Sequence, residues 1–189
     1  MARPRSEDKR QTILQAAARL FAEEGLTAPT SRIAKAAGVA EGTIFTYFAS
    51  KDELLNQLYL SLKAQLRLAY PERPTSTDLR DSLWQYWSAY VAWGLAHPVE
   101  RRALAKVQVS DRVTNATRVQ AAQTFHDIAD VLMKAMALGA LRKQPPAFVG
   151  ALMVAMVETA IDFISNQPDL ARNTAADAFS AFWSAITSG

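Results

Sequence analysis

Apolar positions recur at intervals of three and four along most of the chain, and the alternating Val, Ile and Thr runs of half-buried strands are missing. Ile13, Ala16, Ala17, Leu20 and Phe21 mark one face of a helix predicted from about Ser6 to Glu24, with Ser6 as N-cap before Glu7 and Asp8 and Gly25 as the stop. A second, two-turn helix begins near Pro29 and ends at Gly38. The third is predicted over Ala40 to Phe48, where Ile44 and Phe48 are four apart and share a face. Ser50 caps a fourth that starts at Lys51 and reaches about Leu68.

Longer helices follow. They are expected over Asp78 to Ala96, ended by His97-Pro98; Glu100 to Ser110; Val113 to Leu138, stopping at Gly139; Ala147 to Asn166; and Thr174 to Thr187. The expectation is an all-α protein of about nine helices. Its predicted parts are a three-helix domain over 1–51 and a longer helical domain over 52–189.

Composition narrows the class. With half its residues hydrophobic, a chain of 189 can bury a sizeable core, and with no Cys it has neither disulfides nor a thiolate metal site. The charged N-terminus lacks the apolar stretch of a signal peptide, and the run Ala147 to Val157 stops at Glu158, short of the about 20 residues of a span. A cytoplasmic protein with no membrane partner is therefore expected.

Charge is unevenly placed. Residues 1–51 hold eight Lys or Arg against five Asp or Glu, so the whole formal excess of +3 lies in the first quarter of the chain. A polyanion partner for that quarter is one reading, and an ordinary solvated surface is the other. Catalysis has little support: there is no glycine-rich phosphate loop, and the two histidines, His97 and His126, adjoin no patterned Ser or carboxylate. No catalytic residue, metal site or cofactor is expected.

The segment from Ile33 to Ile44 has the size and spacing of a helix-turn-helix. Ala34 and Ala37 are small enough for a close crossing, Gly38 suits a turn of positive φ, and Val39 and Ile44 plug the gap beneath. The outer face of the third helix then carries Glu41, Gly42, Thr43, Thr46 and Tyr47, and such a helix fits a major groove.

Ala16 to Gly25, Ile33 to Val39 and Gly42 to Leu55 together resemble the tetracycline-repressor (TetR) family of transcription regulators. The resemblance covers roughly residues 9 to 55; beyond them only length, helix count and helical character agree. It implies a repressor that binds palindromic double-stranded operator DNA as a homodimer and is released by a small, hydrophobic or aromatic effector. It also implies that Thr30 and Ser31 meet phosphate or a base edge, that Glu41, Gly42, Thr43 and Thr46 lie on the recognition helix, and that Tyr47 and Lys51 grip the backbone. Ala40 and Ala28-Pro29 depart from the capping residues usual in the family. Two points stay open: Arg3, Arg5, Lys9 and Arg10 form either a DNA-contacting arm or a solvated terminus, and Glu41 either accepts from a cytosine amino group or projects sideways.

Farther along, one helix concentrates aromatic residues in two stripes, Trp84, Trp87 and Val91 against Tyr86, Tyr90 and Trp93. Both cannot face one core. Trp84, Trp87, Tyr90, His126, Met133, Met156 and Glu158 are the candidate effector contacts, with core packing the alternative for each. Phe148, Leu152, Ala178, Ala181, Phe182 and Ala185 are the candidate dimer interface, since the last two helices carry more apolar surface than one core uses. An enzyme is the main alternative from a different class, though the sequence offers it little, and a DNA-binding activator or architectural protein without a ligand is the second.

Overall fold

The computed structural model describes residues 3–137 and 139–188, with side chains from Glu7 onward. In chain order its helices are α1 (Arg3–Glu24), α2 (Thr30–Ala37), α3 (Glu41–Tyr47), α4 (Lys51–Ala69), α5 (Leu79–Ala96), α6 (Pro98–Gln108), α7 (Asn115–Gln123), α8 (His126–Met136), α9 (Pro146–Asn166) and α10 (Thr174–Thr187). Short 3-10 turns at Ala140–Lys143 and Pro168–Leu170 lie in the last two connections. Among the described residues there is no strand, so the all-α expectation holds.

Two corrections concern boundaries. α1 begins at Arg3, so Ser6 lies inside the helix and is not its N-cap. The helix expected from Val113 to Leu138 is two helices, broken at Thr124 and Phe125, which makes ten α-helices among the described residues. Thr114 starts the first of them, its hydroxyl accepting from the Thr117 amide at 3.2 Å. At the break, the Phe125 ring packs edge-on against Tyr70 at 5.9 Å, a contact the continuous periodicity could not reveal.

Packing sorts the chain into two units, and the sorting does not follow the boundary expected after Lys51. The first comprises Met1–Gln65 and His97–Gln123; the second comprises Leu66–Ala96 and Thr124–Gly189. In the first, Ile13, Ala17, Phe21, Ile33, Ile44, Leu54 and Leu55 are fully buried, and α1 packs on α2 and α6. The connection between α6 and α7 is fastened to α4: the Asn56 amide donates to Arg112 O at 3.0 Å and accepts from Thr114 N at 3.0 Å, while Arg112 pairs with Asp52. An amide that satisfies one backbone acceptor and one donor is matched to its burial, and Asn56 is only 5% exposed.

In the second unit α5 meets α8, α9 and α10. Trp87 fills its centre, fully buried, with its ring stacked on Phe182 and its indole N–H donating to Ala175 O at 3.0 Å. Gly139 is needed for fit, because a Cβ there would lie 2.2 Å from the Ile186 carbonyl oxygen. By length and composition α9 could cross a membrane, which the shorter run counted up to Val157 does not convey.

Candidate nucleic-acid interface

Helices α2 and α3 cross at a turn that the sequence determines locally. Gly38 has φ +67°, the left-handed region open to glycine, and from it the Val39 amide returns to Ala34 O at 3.0 Å. Ile33, Ala34, Ile44 and Phe48 close the inner side. Ser50 caps α4 as expected, its hydroxyl accepting from the Glu53 amide at 3.1 Å. No side chain caps α2 or α3, in keeping with Pro29 and Ala40 at those positions.

What remains outside is a largely polar face. Ser31, Glu41, Gly42 and Thr46 are exposed, and Thr30, Thr43 and Tyr47 are half-buried. Thr30 and Glu41 are joined, the threonine hydroxyl donating to Glu41 Oε1 at 2.7 Å, so Glu41 does not project sideways alone. Thr46 leans back toward Gly42 O at 3.4 Å, a weak link. Beside them Arg32 pairs with Glu24, and Lys35 is exposed.

Lys51 is placed differently from its expected role. Its ammonium donates to Ala28 O at 2.6 Å and lies 5.8 Å from the centre of the Phe21 ring. Desolvation by this packing, and the nearby Arg112 charge, hold its pKa below the usual lysine value. The side chain fastens the loop between α1 and α2 to the start of α4. Arg10 is likewise drawn onto the domain, bonding Gln57 Oε1 at 2.6 Å and lying over Phe48, whereas Lys9 is exposed; the side chains of Arg3 and Arg5 lie outside the described residues. One residue of this face escaped the sequence reading: Phe45 is 48% exposed. Its signal was available, since it stands four positions after Glu41 on the same helix.

Residues 13–58 match the family model described as bacterial regulatory proteins, tetR family. Over this segment the chain is similar to the tetR family. Among curated relatives it is 35% identical over 96 residues to the HTH-type transcriptional regulator HbdR of Aromatoleum sp. (strain CIB), covering 50% of this chain and 34% of that one. It is 45% identical over 51 residues to the HTH-type transcriptional repressor KstR2 of Mycobacterium tuberculosis, covering 26% of each. The chain thus spans about a third or less of the length of these curated relatives. Over nearly the whole chain it is similar to the crystal structure of a tetR family transcription regulator from Shewanella sp. PV-4, with a TM-score of 0.81, 29% identity, and coverage of 93% of this chain and 96% of that one.

The second unit holds the remaining candidates, and the structure separates them. The two aromatic stripes of α5 point apart. Trp84 and Trp87 face α10, at 5.1 and 5.6 Å from the Phe179 ring, so Trp87 belongs to the core. The tyrosine stripe meets carboxylates instead: Tyr86 donates to Asp127 Oδ2 at 3.0 Å, which also pairs with Arg67 at 3.1 Å, and Tyr90 donates to Glu158 Oε1 at 2.8 Å. Burial, then the bond to Asp127, pushes the Tyr86 hydroxyl up to about 12; Tyr70, packed edge-on against both tyrosines, is raised by burial as well. Of the seven candidates Tyr90 and Glu158 meet each other, while His126 and Met133 are exposed and Met156 is half-buried. Concavities of about 30 and 170 Å³ occur in the first unit, the larger lined by Thr12, Gln15, Ala16, Arg19 and Ala36.

The dimer candidates also divide. Phe182 is fully buried under Trp87 and is core. Phe148 is 52% exposed, Ala181 and Ala185 are exposed, and Leu152 and Ala178 are half-buried. On α9, Phe148, Ala151, Ala155 and Thr159 form an exposed line at intervals of three and four.

Proposed function

We propose that this chain is a ligand-responsive transcriptional repressor that binds palindromic double-stranded DNA as a homodimer. The observation that carries the reading is the outer face of α2 and α3, where Thr30, Ser31, Glu41, Gly42, Thr43, Thr46 and Tyr47 stand together around a turn tightened at Gly38. Phosphate contacts from hydroxyls and from cations such as Lys35 would set the register, and α3 would read base edges.

One recognition helix spans too few base pairs for a specific site, and two-fold pairing supplies a second, about 34 Å away in the next major groove. The exposed small-residue lines of α9 and α10 suit such pairing, since alanines let a partner helix approach closely. The tyrosine and carboxylate pairs of the second unit, set among aromatic rings, suit a small effector of aromatic or hydrophobic body with a polar point of attachment.

The test uses the purified full chain. Duplexes enriched from a random pool should be palindromic, bound by a dimer in light scattering, and released by an effector found through quenching of Trp emission. A181R combined with A185R should give monomers that no longer hold the palindrome. No enrichment from the pool would overturn the DNA-binding reading; a monomer that binds undiminished would overturn the dimer.

A further inference from the structure

The recognition helix carries two side chains ill suited to a polyanion. Around α3 the inward positions are Ile44 and Phe48, both at most 1% exposed, while Glu41, Gly42, Phe45 and Thr46 face out. Phe45 leaves half its ring in water and offers a phosphate nothing, for it has neither charge nor donor. Glu41 is repelled by every phosphate it approaches. Residues four apart lie one above the other on a helix, so the carboxylate and the ring occupy one stripe.

Each of them has a favoured partner in the major groove, the carboxylate preferring the amino group of cytosine to that of adenine, whose neighbouring N7 is an acceptor. A carboxylate only accepts hydrogen bonds, and the fit for it there is the cytosine N4 amino group; a phenyl ring packs against the thymine C5 methyl. Thr30 strengthens the case for Glu41. Its hydroxyl holds Oε1 at 2.7 Å, which orients the carboxylate from a neighbouring helix and leaves Oε2 to accept from a base. We propose that Glu41 and Phe45 are a specificity-determining pair that reads a cytosine and a thymine in each half-site. A turn of helix rises about 5.4 Å against about 3.4 Å per base step, so the two bases stand one or two steps apart. Glu41 also discriminates by exclusion, because guanine O6 and N7 and thymine O4 present lone pairs to its own.

The inference rests on the DNA-binding reading, and the experiment separates the two. Full-length wild-type protein is used to enrich duplexes from a random pool, and the preferred half-site should contain the two pyrimidines at that spacing. Replacing the thymine with deoxyuridine removes one methyl group and should weaken binding about fourfold in wild type and not at all in F45A. E41Q should move the preference at the other position from cytosine to adenine, since glutamine pairs with adenine N6 and N7, and E41A should cut the discrimination there about tenfold or more. T30V should weaken the cytosine preference while leaving the thymine position untouched. An empty pool overturns DNA binding itself. Enriched sites lacking the two pyrimidines overturn the pair, a profile unchanged in E41Q overturns the role of Glu41, and indifference of wild type to deoxyuridine overturns that of Phe45.

Discussion

The two units hold their polar chemistry in opposite places. In the first, the groups set to meet a partner stand on the surface, and their charges are tied off in neighbouring pairs, Glu24 with Arg32 and Glu41 with Thr30. In the second, the carboxylates Asp127 and Glu158 reach inward to Tyr86 and Tyr90, both almost fully buried. Surface chemistry survives the loss of one side chain, because water takes its place. Buried chemistry is part of the packing, and changing it changes stability first.

The largest expected effect follows from that contrast. Trp87→Ala removes a fully buried ring whose N–H is bonded to Ala175 O, and should cost about 3 to 5 kcal/mol in chemical denaturation. Phe45→Ala, deleting a ring of similar character from the exposed face, should stay within about 0.5 kcal/mol of wild type. Equal losses in the two variants would erase the distinction between the units.

A second measurement sharpens it through pH. The Tyr86 hydroxyl titrates near 12 in the folded chain, above the ordinary tyrosine value of about 10. The folded state therefore keeps a proton that the unfolded state releases, so this contribution to stability is fully present below about pH 10 and declines as the pH rises toward 12. Melting temperature should fall across that window, and less steeply in Tyr86→Phe. Tyr70, also raised by burial, should leave a residual slope. The same slope in Tyr86→Phe as in wild type would mean that Tyr86 is not the group responsible.

How much of this was legible in the sequence depended on the distance over which each feature is decided. The helix-turn-helix is decided within twelve residues from Ile33 to Ile44, by small residues, a glycine and two apolar plugs, and it is found where expected. The break before α8 places Phe125 against Tyr70, more than fifty positions away in the chain, and was not visible in a continuous apolar period. On α10 the sequence shows a phenylalanine stripe beside an alanine stripe, but which one turns inward depends on Trp87, so Phe182 was placed on the wrong side. Lys51 is the clearest case. Its spacing from Tyr47 matched a phosphate grip, while its actual acceptor is Ala28 O, a loop carbonyl that needed a donor.

Lys51→Met tests that reassignment. It keeps the aliphatic stem over Phe21 and deletes a charge-assisted hydrogen bond, so stability should drop by about 1 to 2 kcal/mol, less than a fully buried bond of this kind because the site is partly solvated. The slope of log affinity against log salt for operator DNA should be unchanged. A slope shallower by about 1, with stability intact, would restore Lys51 to the DNA backbone.

The smallest effect is also the most diagnostic for the exposed face. Gly42 sits in the first turn of α3 at ordinary helical φ, and a Cβ built on it would meet nothing within 4 Å, so neither backbone conformation nor packing inside the unit requires glycine there. Alanine is the better helix former by up to about 1 kcal/mol, so Gly42→Ala should raise the melting temperature slightly. Glycine at such a position makes sense if something outside the chain comes close, and Gly42 lies beside Glu41 on the face assigned to the groove. The same variant should therefore bind operator DNA more weakly while folding more stably. A variant that gains stability and keeps its full affinity would show that the backbone of α3 does not approach the bases at Gly42, and the docking of this face would have to be turned away from the start of the helix.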